Sequence, residues 1–163
     1  MSYLHAAILC LPLVLGAVQA QAQGANVAFG SIKADPSLPV EVTADSLDVN
    51  QSDGTAEFIG SVLVGQGDMR LSAQRVLVIY NQEASGIERL EATGDVVLVS
   101  GPDAAEADRA EYSIDSGVIV MTGDVLLTQG NNALTSEKMI VNLVTGTAQM
   151  TGRVKTILQP DNN

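Results

Sequence analysis

The sequence has no tryptophan, and aromatic residues make up only 3% of it against 46% hydrophobic. A core built from such a chain must be aliphatic, made of Val, Leu, Ile and Met. Cysteine occurs once, as Cys10, and histidine once, as His5. Past the first two dozen residues neither remains. That excludes a cysteine or Ser-His nucleophile system, a His-based metal site and a disulfide framework there, and no cofactor is implied. Basic residues are scarce too: 8 Lys and Arg stand against 19 Asp and Glu, a net charge of −11. No Lys/Arg cluster exists to displace counterions from a nucleic-acid backbone or to dock on an anionic membrane, so neither is an expected partner. The acidic balance itself reads as solubility. Helical patterning is the last shortage. Only 103–112 has good helical propensity, and its alignment with strand-like phrases elsewhere makes it a strand.

One apolar run, 6–18, differs from everything after it and ends in Gln19-Ala20-Gln21-Ala22-Gln23. It is too short for a comfortable membrane span and is interrupted by Pro12 and Gly16. The small residues Ala20 and Ala22 make an export-signal cleavage site, with cutting before Gln23. Because the first residues hold no Lys or Arg, an uncleaved anchor stands as the alternative. Cys10 follows Leu9 rather than a small residue, so lipoprotein attachment is set aside. The organisation expected is a cleaved signal over 1–22, a flexible N-terminal segment over 23–37, one domain over 38–160 and a disordered tail over 161–163.

What fills that domain is one phrase written four times. It reads Phe58-Ile59-Gly60-Ser61-Val62, Ala92-Thr93-Gly94-Asp95-Val96, Met121-Thr122-Gly123-Asp124-Val125 and Met150-Thr151-Gly152-Arg153-Val154. A period of about thirty residues in strand-forming chemistry marks one unit stacked on copies of itself. A weaker phrase precedes each copy: Ala44-Asp45-Ser46-Leu47, Ala73-Gln74-Arg75-Val76, Ala107-Asp108-Arg109-Ala110 and Ser136-Glu137-Lys138-Met139. Between the two phrases lies a turn carrying Gly54, Gly86, Gly117 or Gly146, where glycine supplies a positive φ. Each unit is thus strand, turn, strand.

Period-two alternation gives the faces. The glycine strands collect Phe58, Val62, Val64, Leu90, Val96, Leu98, Ile119, Met121, Val125 and Leu127 on one parity. The companion strands collect Leu47, Val49, Val76, Val78, Tyr80, Tyr112, Ile114, Met139, Val141 and Leu143. Glu57, Asp95, Asp124, Asp48 and Glu111 lie opposite. The phrase glycine falls on the dry parity, leaving room for a bend or a neighbouring backbone. The outward apolar residues Leu63, Leu77, Val97, Leu126 and Ile140 read as tolerated surface. The fold class is all-β: two antiparallel sheets face to face, or a flattened spiral, around an aliphatic interior. Stacking leaves open sheet edges near 39–45 and 152–158, which favours head-to-tail pairing.

The segment Pro39-Val40-Glu41-Val42-Thr43-Ala44-Asp45-Ser46-Leu47, its continuation through 58–78, and the later stretches 121–141 and 153–158 resemble the OstA-like domain of periplasmic lipopolysaccharide-transport bridge proteins. The resemblance spans about 38–160. It implies an antiparallel β-jellyroll in the periplasm that conveys lipopolysaccharide from the inner to the outer membrane, with acyl chains held in the apolar interior. It implies lipid contact at Val40 and Val42 together with the dry-face residues named above other than Tyr80 and Leu143. It also implies edge pairing through Val40, Glu41, Val42, Thr43, Val154, Lys155, Thr156, Ile157 and Leu158. The partners implied are lipopolysaccharide, further copies of the chain head to tail, and the jellyroll domains of the inner-membrane-anchored and outer-membrane translocon proteins. This chain departs from the family pattern in ending Gln159-Pro160-Asp161-Asn162-Asn163 rather than in a basic tail.

Other classes fit parts of the pattern. A structural β-solenoid filament would use the same edges without lipid, and a membrane-anchored jellyroll partner would keep its N-terminal run. An exported polysaccharide enzyme would need convergent carboxylates such as Asp103, Glu106 and Asp108, or Asp45 and Asp48; a solvated surface is the stronger reading of these. Arg75, Arg109 and Lys138 recur at one place in successive units, as a phosphate-contacting ladder or, more simply, as cross-strand ion pairs.

Overall fold

A computed structural model describes residues 25–28, 35, 37–81 and 86–158. The expected signal and the tail at 161–163 lie outside these residues. The architecture follows from the length of the repeated strands. Strands β4 (Thr55–Gln66), β5 (Met69–Tyr80), β6 (Ile87–Ser100), β7 (Asp103–Ser113), β8 (Val118–Gln129) and β9 (Asn132–Asn142) form an antiparallel meander. At about 3.4 Å per residue, strands of this length are far longer than usual globular strands, and a flat sheet of them would leave its apolar face in water. Instead each strand folds over near its middle.

The fold-over occurs at the repeated glycine phrase. Gly60, Gly94, Gly123 and Gly152 have φ of +82°, +82°, +84° and +81°, and the residue after each also has positive φ: Ser61 +46°, Asp95 +48°, Asp124 +42° and Arg153 +43°. Register shifts fall here along the whole meander, between Ile59 and Val62, Thr93 and Val96, and Thr122 and Val125. In each case the glycine strand carries the extra residue, which is a β-bulge used as a corner.

The corners divide the sheet into two leaves. One contains 62–66, 69–73, 96–100, 103–107, 125–129 and 132–136; the other contains 55–59, 75–80, 87–93, 109–113, 118–122 and 138–142. At one end of the stack the companion strand is broken in two. Strand β2 (Glu41–Thr43) lies on β4 in the first leaf and β3 (Ser46–Asn50) on β4 in the second. At the other end the glycine strand is broken into β10 (Thr147–Thr151) and β11 (Lys155–Ile157), which lie on β9. Within the segment 23–37, Ala25–Ala28 form strand β1, which pairs antiparallel with β10. The fold is therefore an all-β, antiparallel jellyroll, and 103–112 is strand as its alignment predicts.

One aliphatic cluster fills the space between the leaves. Val64, Val76, Val96, Leu98, Ile119, Met121, Val125, Leu127, Met139 and Val141 are among its fully buried members. Burial of each such side chain contributes about 1.5–3 kcal/mol. The alternation differs from the sequence expectation in one respect. In the companion strands the buried parity reverses at the corner: Val76 and Val78 in the second leaf, but Met69, Leu71 and Ala73 in the first. The same reversal puts Tyr112 and Ala110, then Ala107 and Ala105, inward on β7, and Val141 and Met139, then Leu134, inward on β9. The turns behave as expected at Gly54, Gly117 and Gly146, whose φ is +63°, +64° and +67°; Gly86 is not among the positive-φ residues.

Candidate functional site

The corners are held by the weaker phrase that precedes each glycine. The side chains of Asp45, Gln74, Asp108 and Glu137 lie over Gly60, Gly94, Gly123 and Gly152; an added Cβ would collide with them at Gly60, Gly123 and Gly152 and be tight, at 3.0 Å, at Gly94. At the two broken ends the backbone joins in: Asp45 N donates to Gly60 O and Glu137 N to Gly152 O, each at 3.0 Å. The next residue is tied as well. Gln74 Nε2 donates to Asp95 Oδ2 at 2.5 Å, and Arg153 pairs with Glu137 at 2.7 Å. Asp45 and Asp108 are therefore corner pieces rather than convergent acids. Of the other acidic candidates, Asp103 is buried and accepts from Gln129 Nε2 at 2.9 Å, while Asp48 and Glu106 are exposed. Among the described residues no group of three or more His, Cys, Asp or Glu is placed to hold a metal ion.

Among the described residues the interior is the extended apolar feature. Of the residues expected to line it, Val62, Val64, Val76, Val78, Leu90, Val96, Leu98, Tyr112, Ile119, Met121, Val125, Leu127, Met139 and Val141 are buried in one cluster. Val40, Val42, Phe58 and Ile114 pack against that cluster half-buried. Leu47 and Val49, at the β3 end, are 50% and 63% exposed. With Phe58, Ala56 and Tyr80 they border a hollow of about 410 Å³. Sequence reasoning missed Met69, Leu71, Ala105, Ala107 and Leu134, all of which face inward. The signal for them was present: two successive polar residues inside each companion phrase (Gln74-Arg75, Asp108-Arg109, Glu137-Lys138) mark the reversal of parity.

Polar contacts bridge the free tips of the leaves, opposite the corners. Tyr112 at the tip of the second leaf donates its hydroxyl to Gln66 Oε1 at the tip of the first. Gln66 Nε2 in turn donates to Leu38 O at 2.9 Å. Farther along, Gln129 Nε2 donates to Ala28 O at 2.6 Å, joining the first leaf to β1. Burial pushes the Tyr112 phenol up to about 12. On the outer surface Arg75 pairs with Glu57 at 2.9 Å, and Arg109 and Lys138 lie opposite threonines in the ladder. For Arg75 the ion-pair reading holds.

The edges differ from one another. Among the described residues, β2 and β3 have no strand on their outer side, nor does β11; β10 is covered by β1. Within the expected edge set, Val154, Ile157 and Leu158 are 37%, 49% and 70% exposed.

The family model described as "LptA/(LptD N-terminal domain) LPS transport protein" matches residues 41–147, well over half of the chain. The chain belongs to this family. A crystal structure of LptH from Pseudomonas aeruginosa, titled the LptA-homologous periplasmic component of the lipopolysaccharide transport device, has the same fold. It superposes with a TM-score of 0.69 at 19% identity, over 78% of this chain and 99% of that one. An uncharacterised protein of Rhizobium meliloti (strain 1021) is 29% identical over 116 residues, covering 67% of this chain. The match takes in 61% of that relative's length, so this chain spans about three fifths of it. Membership of the LptA/LptD N-terminal family agrees with the jellyroll fold.

Proposed function

We propose that this protein is a periplasmic carrier that holds lipopolysaccharide by its acyl chains between the two leaves and passes it along a stack of like domains. One observation carries the reading: an unbroken aliphatic strip runs between the leaves from β2 and β3 to β10, and it emerges into solvent at the β3 end through Leu47 and Val49. Family membership supplies the transport context. Burial of each acyl methylene on such a strip is worth about 0.8 kcal/mol, spread evenly rather than concentrated in one well. Among the described residues the buried polar side chains sit at the tips of the first leaf (Gln66, Ser100, Asp103) or beside a corner (Ser136), and the aliphatic stretch between them suits a sliding chain; no bond-making chemistry is asked of the protein. Lipid phosphates stay in water, away from the acidic surface. Acyl chains enter at the β3 end, where the strip meets solvent, and lodge by spreading the leaves, whose tips are held together by the hydrogen bonds from Tyr112 to Gln66 and from Gln129 to Ala28.

In this reading a cleaved signal over 1–22 delivers the chain to the periplasm. Its partners are lipopolysaccharide, further copies of itself, and the jellyroll domains of the inner-membrane and outer-membrane components. The open edges of β2, β3 and β11 are where like domains add.

The test uses a photoactivatable leucine, which preserves side-chain volume, at Leu47, at buried Leu127 or at outward Leu63, each exposed to lipopolysaccharide. Crosslinks at Leu47 and Leu127 but not at Leu63 are expected. A folded protein that crosslinks at neither interior position is a structural module and not a lipid carrier.

A further inference from the structure

Strand β1 stands outside the repeat, yet it sits where the repeat would continue. Along the stack the residues Leu47, Val76, Ala110 and Met139 hold one equivalent position. Leu47 and Val76 flank Phe58, Val76 and Ala110 flank Ala92, and Ala110 and Met139 flank Met121. Met150 has Met139 on one side and, on the other, Ala25 of β1. Ala148 likewise has Val141 on one side and Val27 on the other. If the repeat continued into a second molecule, those two places would go to its Leu47 and Val49. The direction is also that of β3, antiparallel to the glycine strand. Even the alternation agrees: Ala25-Asn26-Val27-Ala28 is half-buried, exposed, half-buried, exposed, as Leu47-Asp48-Val49-Asn50 would be once covered.

The two ends of the stack differ accordingly. Next to β1, Ala148 and Met150 are 2% and 0% exposed. At the far end, all of β3 is exposed.

We propose that β1 is an internal stand-in for β3 of a second copy of this chain, holding the β10 edge until that copy displaces it. The inference rests on the edge-stacking part of the proposed function and adds its regulation. Tethering gives β1 a high effective concentration at its own edge, so a neighbour must compete. The neighbour has two advantages. Its β3 brings Leu47 where β1 has only Ala25, and its β2 can add to β11, whose outer side has no strand among the described residues. β1 is four residues long and packs a single branched aliphatic residue, Val27, against the core, which makes it displaceable. Occupied by its own strand, the edge is also protected from indiscriminate strand pairing.

Two variants of the exported protein test this without lipid. Val27→Pro removes a backbone donor from β1 and leaves β10 untouched. Val27→Cys with Ala148→Cys, residues directly opposed across the pair, locks β1 in place when oxidised. Thermal melts check that both variants fold. By sedimentation velocity, the Pro variant is expected to self-associate at least tenfold more tightly than the unaltered protein. The oxidised double variant should stay monomeric and regain unaltered behaviour on reduction. Equal association by locked, unlocked and unaltered proteins overturns the stand-in role while leaving stacking intact. Failure of every form to associate overturns stacking and the stand-in together.

Discussion

At the scale of single residues, Tyr112 tells most about the closed interior. It is one of the chain's 3 tyrosines, lies 1% exposed, and reaches from one leaf to Gln66 on the other. Burial disfavours the phenolate, which is why ionisation is pushed from 10.0 up to about 12. The consequence for stability has a definite sign. Below pH 10 the phenol is neutral both folded and unfolded, and nothing is lost. Between pH 10 and 12 the unfolded chain gives up this proton and the folded one does not, so stability falls as pH rises. The fall attributable to this group is at most about 2–3 kcal/mol. Tyr112→Phe keeps the ring and removes the hydroxyl. We expect it to cost about 1 kcal/mol at pH 7 through the lost hydrogen bond, and to abolish this part of the alkaline loss. Urea unfolding at pH 7 and pH 11 should therefore show the variant's deficit shrinking or reversing at the higher pH. Parallel losses in both proteins would remove Tyr112 from the account.

At the scale of elements, the unit that matters is the corner, where a glycine strand bulges under a polar side chain from its neighbour. Two demands meet at Gly123: φ is +84°, and a Cβ would stand 2.8 Å from both Cβ and Cγ of Asp108. The first is strained for any L side chain, and the second is backbone-proximal and cannot swing away. Gly123→Ala should destabilise by about 2 kcal/mol or more, and Asp108→Ala should relieve it only partly because a Cβ remains. Gly65, in the same repeat architecture, has ordinary φ and meets only the flexible guanidinium of Arg70 at 3.5 Å. Gly65→Ala should be neutral or stabilising by up to about 0.5 kcal/mol, since it mainly restricts the unfolded chain. Chemical denaturation of the variants reads the contrast, and equal costs at both glycines would refute it.

The corner also explains what could be read in the sequence. The repeat, the strand at 103–112 and the faces of the glycine strands were legible because β4, β6 and β8 keep one parity through the bulge: 56 and 58, then 62 and 64. The companion strands were half legible. They turn the corner without an extra residue, so the inward set switches parity at Gln74-Arg75 and its counterparts, and Leu71, Ala105 and Leu134 escaped a single-parity reading. The position of β1 was not legible at all. Ala25-Asn26-Val27-Ala28 is too short to show a pattern, and its partner lies more than a hundred residues away.

At the scale of the molecule, the aliphatic strip meets solvent at the β3 end through Leu47 and Val49, and that decides where lipid capture can be tested cleanly. A charge at Val62 or Val125, 1% and 0% exposed, would put an unpaired carboxylate in the core and unfold the protein before it reported on lipid. At Leu47, half exposed and not required for closure of the core, the same charge costs folding little. It does, however, place a hydrated carboxylate at the β3 mouth, where the aliphatic strip meets water. Leu47 also belongs to the strand that competes with β1, so stacking must be held constant. In the oxidised Val27→Cys/Ala148→Cys background, which fixes the opposite end, Leu47→Asp should leave thermal stability within about 1 kcal/mol and lower lipopolysaccharide capture at least tenfold, about 1.4 kcal/mol. Capture is read by retention of labelled lipopolysaccharide on the purified monomer. Undiminished capture would place entry along the tips of the leaves, past Gln66 and Tyr112, rather than through the mouth at β3. If the locked parent captured none, the acyl-chain reading itself would fail, whatever the effect of Leu47→Asp.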